Sequence, residues 1–146
     1  MARFPSEAWF KEVQEVYNSD SSLHTGGGGA CETTAAFKVG DECYRIVFEG
    51  HQCLEIRSAS EAELASPETD FIIEMAPELW KAMVENIQEH GAAHDDHTLN
   101  SIDLRQDDSI AYSPEDDQAR QDLFYRFNQN FQDFFDASSR VETTFD

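Results

Sequence analysis

Apolar residues recur at helical spacing over the first 20 positions. In FPSEAWFKEVQEVY, Trp9, Phe10, Val13, Val16 and Tyr17 fall on one side of a 3.6-residue period, and Pro5 suits a first turn. A helix over about residues 5–18 follows. The small, polar stretch NSDSSLHTGGGGA breaks the pattern and reads as a linker. Its four consecutive glycines are only superficially a phosphate loop, because no GK[ST] follows and no strand precedes them.

From Cys31 the period changes to two. TTAAFKVGDECYRIVFEGHQCLEIRS reads as three strands joined by tight turns at Gly40-Asp41 and around Gly50. A three-residue loop, Glu49-Gly50-His51, sets Phe48 opposite Gln52, Ile46 opposite Leu54 and Tyr44 opposite Ile56. This register gathers Tyr44, Ile46, Phe48, Leu54 and Ile56 on one apolar face. It also separates Cys43 from the partner of Cys53 by roughly 13 Å, at about 3.3 Å per residue, too far for a disulfide.

SASEAELASPET is an acidic loop or short helix, and DFIIEM a fourth strand. The run Phe71-Ile72-Ile73 implies burial on both faces and so a central position. APELWKAMVENIQEHG is a second core helix, opened by Pro77 and closed by Gly91, with Leu79, Trp80, Met83, Val84 and Ile87 on one side. Within residues 92–113, SIDL and SIAYS read as short strands around a turn at Gln106-Asp107-Asp108.

Pro114 opens a last helix running to about Ala137, and residues 138–146 form a frayed tail. The order predicts a single α+β domain over residues 1–146: an antiparallel five-stranded sheet with helices on one face. In the last helix, DLFYRFNQNFQDFFD places Leu123, Phe124, Phe127, Phe131, Phe134 and Phe135 within an arc of about 120°, at about 100° per residue. Such a stripe is ordinarily a core face. Aromatic rings also line apolar ligand pockets and partner-binding faces.

Composition narrows the function classes. The 146 residues suit one core, and 40% apolar with 12% aromatic content is too rich for disorder. Thirty Asp and Glu against ten Lys and Arg give a formal charge of -20, which opposes contact with nucleic acid or an anionic bilayer. The acid-rich surface, with only Lys11, Lys38 and Lys81 as lysines, also suits a high-salt habitat. No basic-then-apolar signal region and no apolar run of about 18 residues occurs, so no membrane span and a cytoplasmic location are expected.

Candidate chemistry is sparse. Cys31, Cys43 and Cys53 form no CxxC pair and read as free buried thiols. His90, His94 and His97 with Asp95 and Asp96 resemble a metal cluster, but Gly91 interrupts the helical register that would align them. With thirty acids, a carboxylate pair such as Asp70 and Glu74 on one strand face carries no catalytic meaning. No catalytic residue, metal or cofactor is singled out.

PETDFIIEMAPELWKAMVENI carries a more specific pattern, in Asp70, Phe71, Ile72, Ile73, Met75, Pro77, Trp80, Met83 and Val84. With the order of elements over about residues 4–90, it resembles the sterol carrier protein 2 superfamily. The resemblance implies a helix-covered five-stranded sheet around an apolar tunnel for sterols, steroids or fatty acyl chains. The lipid is bound or transported without catalysis or cofactor, and the last helix closes the tunnel. On that reading the wall comprises Tyr44, Ile46, Phe48, Trp80, Met83, Val84, Phe124, Phe127, Phe131 and Phe134. Truncating Phe127 or Phe131 to Ala then lowers lipid affinity more than fold stability.

The chain departs from that family where a Gly-Lys-Leu-type strand and a Gly-Asp turn usually precede the last helix. It has HDDHTLNSIDLRQDDSIAYSPEDD instead. Three other readings stay open. One is a small enzyme of the ketosteroid isomerase or dehydratase type, although that fold begins with two or three helices before a long curved sheet. Another is an accessory subunit docking its C-terminal Phe helix on an enzyme of lipid or steroid metabolism. The last is a lipid-binding fold whose core is filled and takes no ligand.

Overall fold

The computed structural model describes residues 2–24, 31–50, 52–105 and 109–145. The glycine linker, His51 of the second hairpin and the turn at 106–108 lie outside the described residues. The elements are β1 (Ala2–Arg3), α1 (Glu7–Ser19), β2 (Thr33–Val39), β3 (Glu42–Glu49), β4 (Gln52–Ala59), α2 (Glu61–Leu64) and β5 (Phe71–Met75). They continue with α3 (Pro77–His90), α4 (Leu99–Leu104), β6 (Ala111–Tyr112), α5 (Gln118–Asp136) and β7 (Thr143–Thr144).

Helix ends follow local chemistry. The Ser6 hydroxyl accepts the Trp9 N–H at 3.1 Å and caps α1, so Pro5 precedes the helix instead of sitting in its first turn. Pro77 opens α3 and Gly91, at φ 85°, closes it as expected. Asp117 caps α5 by accepting the N–H groups of Ala119 and Arg120, which starts that helix after Pro114 and not at it.

The main sheet has the order β4-β3-β2-β5-β6. It is mixed, not antiparallel throughout: β2 and β5 run parallel, from Ala35↔Phe71 to Val39↔Met75, while the other pairs are antiparallel. The β3–β4 hairpin goes to one side of β2, so the chain returns past it through α2 and enters on the other side in the direction of β2. A tight hairpin cannot make such a connection; a crossover can. As its apolar run implied, β5 is interior to the sheet and buried on both faces.

The hairpin register also differs from expectation. Glu49 pairs with Gln52, Phe48 with Cys53, Val47 with Glu55, Ile46 with Ile56 and Tyr44 with Ser58. Leu54 is the extra residue of a β-bulge, which turns it outward to 52% exposure and puts Cys53 on the core face. Strict alternation through Leu54 therefore misplaces one residue, yet Tyr44, Ile46, Phe48 and Ile56 keep the inner face.

Side chains of α1 close the free edge of β4. The Glu7 carboxylate accepts the Ser58 N–H at 2.8 Å, and Lys11 donates to the Ile56 carbonyl at 3.1 Å. Gln14 donates to the Cys53 carbonyl at 2.9 Å. Asn18 donates to the same carbonyl at 2.8 Å and accepts the Cys53 N–H at 2.9 Å. Positions 7, 11, 14 and 18 share one helix face, so α1 offers the edge a column of hydrogen-bonding partners. At the opposite edge Gln121 of α5 donates to the Ala111 carbonyl at 2.9 Å.

Helices α1, α3 and α5 pack their apolar faces on the inner side of the sheet in one continuous core. On the outer side Leu64 of α2 covers a small cluster of Ala36, Cys43 and Ile72. Ion pairs rim that cluster: Lys38–Glu61 at 3.0 Å, Arg45–Glu55 at 2.7 Å and Arg57–Glu63 at 2.7 Å.

The segment before α5 is only half as expected. SIDL lies in the helix α4, with Thr98 as its cap, while Ala111–Tyr112 does form a strand, β6, beside β5. The buried Asp103 ties the two together: one oxygen accepts from the Ser109 hydroxyl and the Ile110 N–H, both at 2.9 Å, and the other from the Tyr125 hydroxyl at 3.1 Å.

Residues 138–145 do not fray. A 3-10 turn over Ala137–Arg140 leads to buried Val141, and β7 pairs in parallel with β1. The Trp9 indole donates to the Thr143 hydroxyl at 3.0 Å. Among the described residues no helix is long and apolar enough to cross a membrane.

Replacing Asn18 with Ala removes both bonds to Cys53 and leaves its N–H facing the helix without an acceptor. The expected cost is about 1–3 kcal/mol. Urea unfolding would read this as a lowered midpoint at unchanged slope; a midpoint equal to that of the parent would refute the role given to Asn18.

Candidate functional site

The space between the inner sheet face and the three helices is built from aromatic rings. Phe37 stands at its centre on β2, within an Ala35-Phe37-Val39 alternation. Its ring centroid lies 5.7 Å from Phe10 of α1, 5.7 Å from Trp80 of α3, and 6.1 and 5.0 Å from Phe131 and Phe135 of α5. Edge-to-face and tilted arrangements dominate, as the ring quadrupole favours.

All ten expected wall residues are buried in this core. Phe48 comes together with Phe131 at 5.0 Å and Phe134 at 6.1 Å, and Phe124 lies 6.0 Å from Phe71. Tyr44 instead faces Phe10 of α1 at 4.5 Å, and Trp80 of α3 meets Phe135 of α5 at 5.5 Å. Phe127 is at the margin, with the Arg126 guanidinium 5.2 Å from its ring centroid.

Phe37, Trp9, Phe10, Tyr17 and Phe135, which are not among the expected wall residues, lie in the same core. Period-two alternation marks Phe37, and the arc of the last helix contains Phe135. Both signals were available.

Ile46, Trp80, Met83, Val84, Phe124, Phe131 and Phe134 have no solvent-accessible surface. Not even a water-sized space adjoins them, so in this conformation the rings fill the interior. Phe131, packed on Phe37, Phe48 and Phe71, therefore serves the fold directly.

Toward one end the interior becomes polar. Tyr17 stacks on Phe134 at 5.8 Å and lies tilted against His24 at 4.2 Å, and burial, with Asp133 nearby, raises the pKa of its phenol. Burial likewise holds the carboxyl of Asp136 above the usual range. Asp136 accepts from the Ala93 N–H and from Gln132, each at 3.0 Å, and Gln132 in turn accepts the Leu99 N–H at 2.7 Å. These bonds strap the segment before α4 onto α5.

Ser138 follows in the 3-10 turn, fully buried. Among the described residues its Oγ is the buried side-chain atom that lacks a hydrogen-bond partner.

At the surface, a cleft of about 330 Å³ reaches Phe48 between Glu32, Thr33, Thr34, Glu49 and Asp70. The histidine segment brings the rings of His90 and His94 to 5.3 Å. Among the described residues no group of three or more His, Cys, Asp or Glu is placed to hold a metal ion.

The fold is that of sterol carrier protein 2. The crystal structure of sterol carrier protein 2 matches this chain with a TM-score of 0.64 and 14% sequence identity, covering 94% of this chain and 98% of that one. No protein-family model and no curated protein matches the chain. A match over 94% of the chain extends past residue 90.

The three cysteines are free and buried. Burial pushes the thiols of Cys31 and Cys53 up to about 12, and raises that of Cys43. At pH 8 the native protein should resist alkylation by iodoacetamide at all three positions and react fully in denaturant. Labelling of Cys31 or Cys53 in the native state, read by mass spectrometry, would contradict the packing described.

Proposed function

We propose that the protein is a non-enzymatic lipid-binding or carrier module that takes an apolar molecule between its sheet and helices α3 and α5. The classes considered are sterols, steroids and fatty acyl chains. The observation that carries this reading is the sterol carrier protein 2 fold combined with an interior walled by large rigid rings. Tyr44, Ile46, Phe48, Trp80, Met83, Val84, Phe124, Phe127, Phe131 and Phe134 are the proposed wall, and the cleft at Phe48 is the proposed mouth.

Magnitudes fix what binding must do. The rings now occupy the space, so a lipid has to exchange ring–ring contacts for ring–lipid contacts while α5 shifts outward. Each aromatic pair is worth about 0.5–1.5 kcal/mol beyond its buried area. Separating Phe131 from Phe37, Phe48 and Phe71 thus costs about 2–4 kcal/mol. Removing about 300 Å² of lipid surface from water returns about 7.5 kcal/mol, at about 25 cal/mol per Å². Binding is favourable only for a ligand large enough to cover much of the wall.

Native mass spectrometry of the purified protein, followed by titration with a fluorescent fatty acid and a fluorescent sterol, tests the reading. A co-purified lipid, or saturable binding of either probe, is expected. An adduct-free spectrum together with no binding would sink it and leave a filled structural fold. Phe127→Ala, at the margin, should weaken binding more than it lowers stability. Phe131→Ala, at the centre, should cost about 3–5 kcal/mol of stability.

A further inference from the structure

We propose that the interior selects uncharged lipids carrying a hydroxyl or carbonyl group, and that Ser138 Oγ is the group that meets this polar end. The inference rests on the lipid-binding reading above and concerns which lipids the same site admits.

The first support is the sign of the charge available inside. Among the described residues, the buried charged side chains are Asp103 and Asp133, and no Lys or Arg is buried. Asp136, next to this end, is a further carboxylate whose proton is held more tightly because burial disfavours its charge. The cleft at Phe48 repeats the pattern, with Glu32, Glu49 and Asp70 around it.

A ligand carboxylate or phosphate brought into a low-dielectric interior needs a cation or several donors to replace its water. This interior offers carboxylates instead. Anionic lipids are therefore opposed both at the mouth and at the polar end, and a neutral one is opposed at neither.

The second support is Ser138 itself. Its Oγ is fully buried without a partner, an arrangement that leaves a desolvated hydroxyl uncompensated. Asp136 and Ala137 keep helical backbone angles, so the turn of α5 continues through them. Ser138 thus stands three and four residues beyond Phe135 and Phe134, on the helix face that those rings present to the core. A hydroxyl or carbonyl at the end of a lipid lying along the rings would give Oγ the partner it lacks. A hydroxyl both donates and accepts, so it suits either orientation of the serine proton.

The test uses the full chain, with 1-decanol, decanoate and decane as ligands at pH 8, measured by displacement of an uncharged environment-sensitive dye. Decanol is expected to bind at least tenfold more tightly than decanoate. In Ser138→Ala the advantage of decanol over decane should fall about fivefold or more, while the melting temperature holds or rises because an uncompensated hydroxyl has gone. Decanoate bound as tightly as decanol would overturn the charge selection, and an unchanged decanol advantage in Ser138→Ala would overturn the role of the serine. If neither the dye nor any of the three ligands binds, the lipid-binding reading itself fails, a result distinct from equal binding of acid and alcohol.

Discussion

The contact of four rings on Phe37 is the constraint on which the rest of the molecule depends. Phe10, Trp80, Phe131 and Phe135 reach that one side chain from three different helices. Each helix is thereby fixed on the sheet and on the other helices, because moving one separates rings that the others also touch. Well-packed aromatic interiors do not deform gradually; they hold or they reorganise. Under the proposed lipid-binding function, interior binding is consequently tied to a displacement of α5 as a body, so the fold's most rigid feature is the one that such binding requires to move.

Polar contacts divide the work differently. Asp103, Gln132 and Asp136 bind the stretch between α3 and α5 to its neighbours through backbone N–H groups, beside the buried Leu99, Ile102, Ile110 and Ala111. On the outer side of the sheet, cations and carboxylates alternate in pairs. Partly exposed pairs of this kind contribute modestly, and their stabilising value falls with added salt. The net charge of -20 is repulsive in the compact state, so screening relieves the whole molecule even as it weakens those pairs.

Much of the fold was legible in the sequence. Helical spacing located α1, α3 and the ring-bearing face of α5, alternation located β2 to β4, and the doubly buried run placed β5 inside the sheet. What could not be read was non-local. The bulge at Leu54 depends on Asn18 gripping the Cys53 backbone from another element, and the parallel pairing of β2 with β5 depends on the path of a crossover. The short α4 depends on Asp103, whose partners come from Ser109, Ile110 and Tyr125. Pattern and resemblance identified ten residues that are all buried in the core, with Phe127 at its edge. That the rings fill the space is a matter of packing density, to which a pattern of apolar positions is blind.

The neutral amides along both sheet edges take on a meaning beyond stability once the charge is considered. At low ionic strength mutual repulsion keeps copies of so acidic a chain apart, but near 1 M salt the screening length shrinks to about 3 Å and that protection disappears. An unguarded edge strand would then be free to template its neighbours. Gln14 and Asn18 on one side engage the backbone of Cys53, and Gln121 on the other the Ala111 carbonyl, by short-range hydrogen bonds that salt does not screen. Long-range charge and short-range amides thus oppose edge-to-edge pairing in complementary solvent regimes, and crowded, salty solution is where the second safeguard matters most.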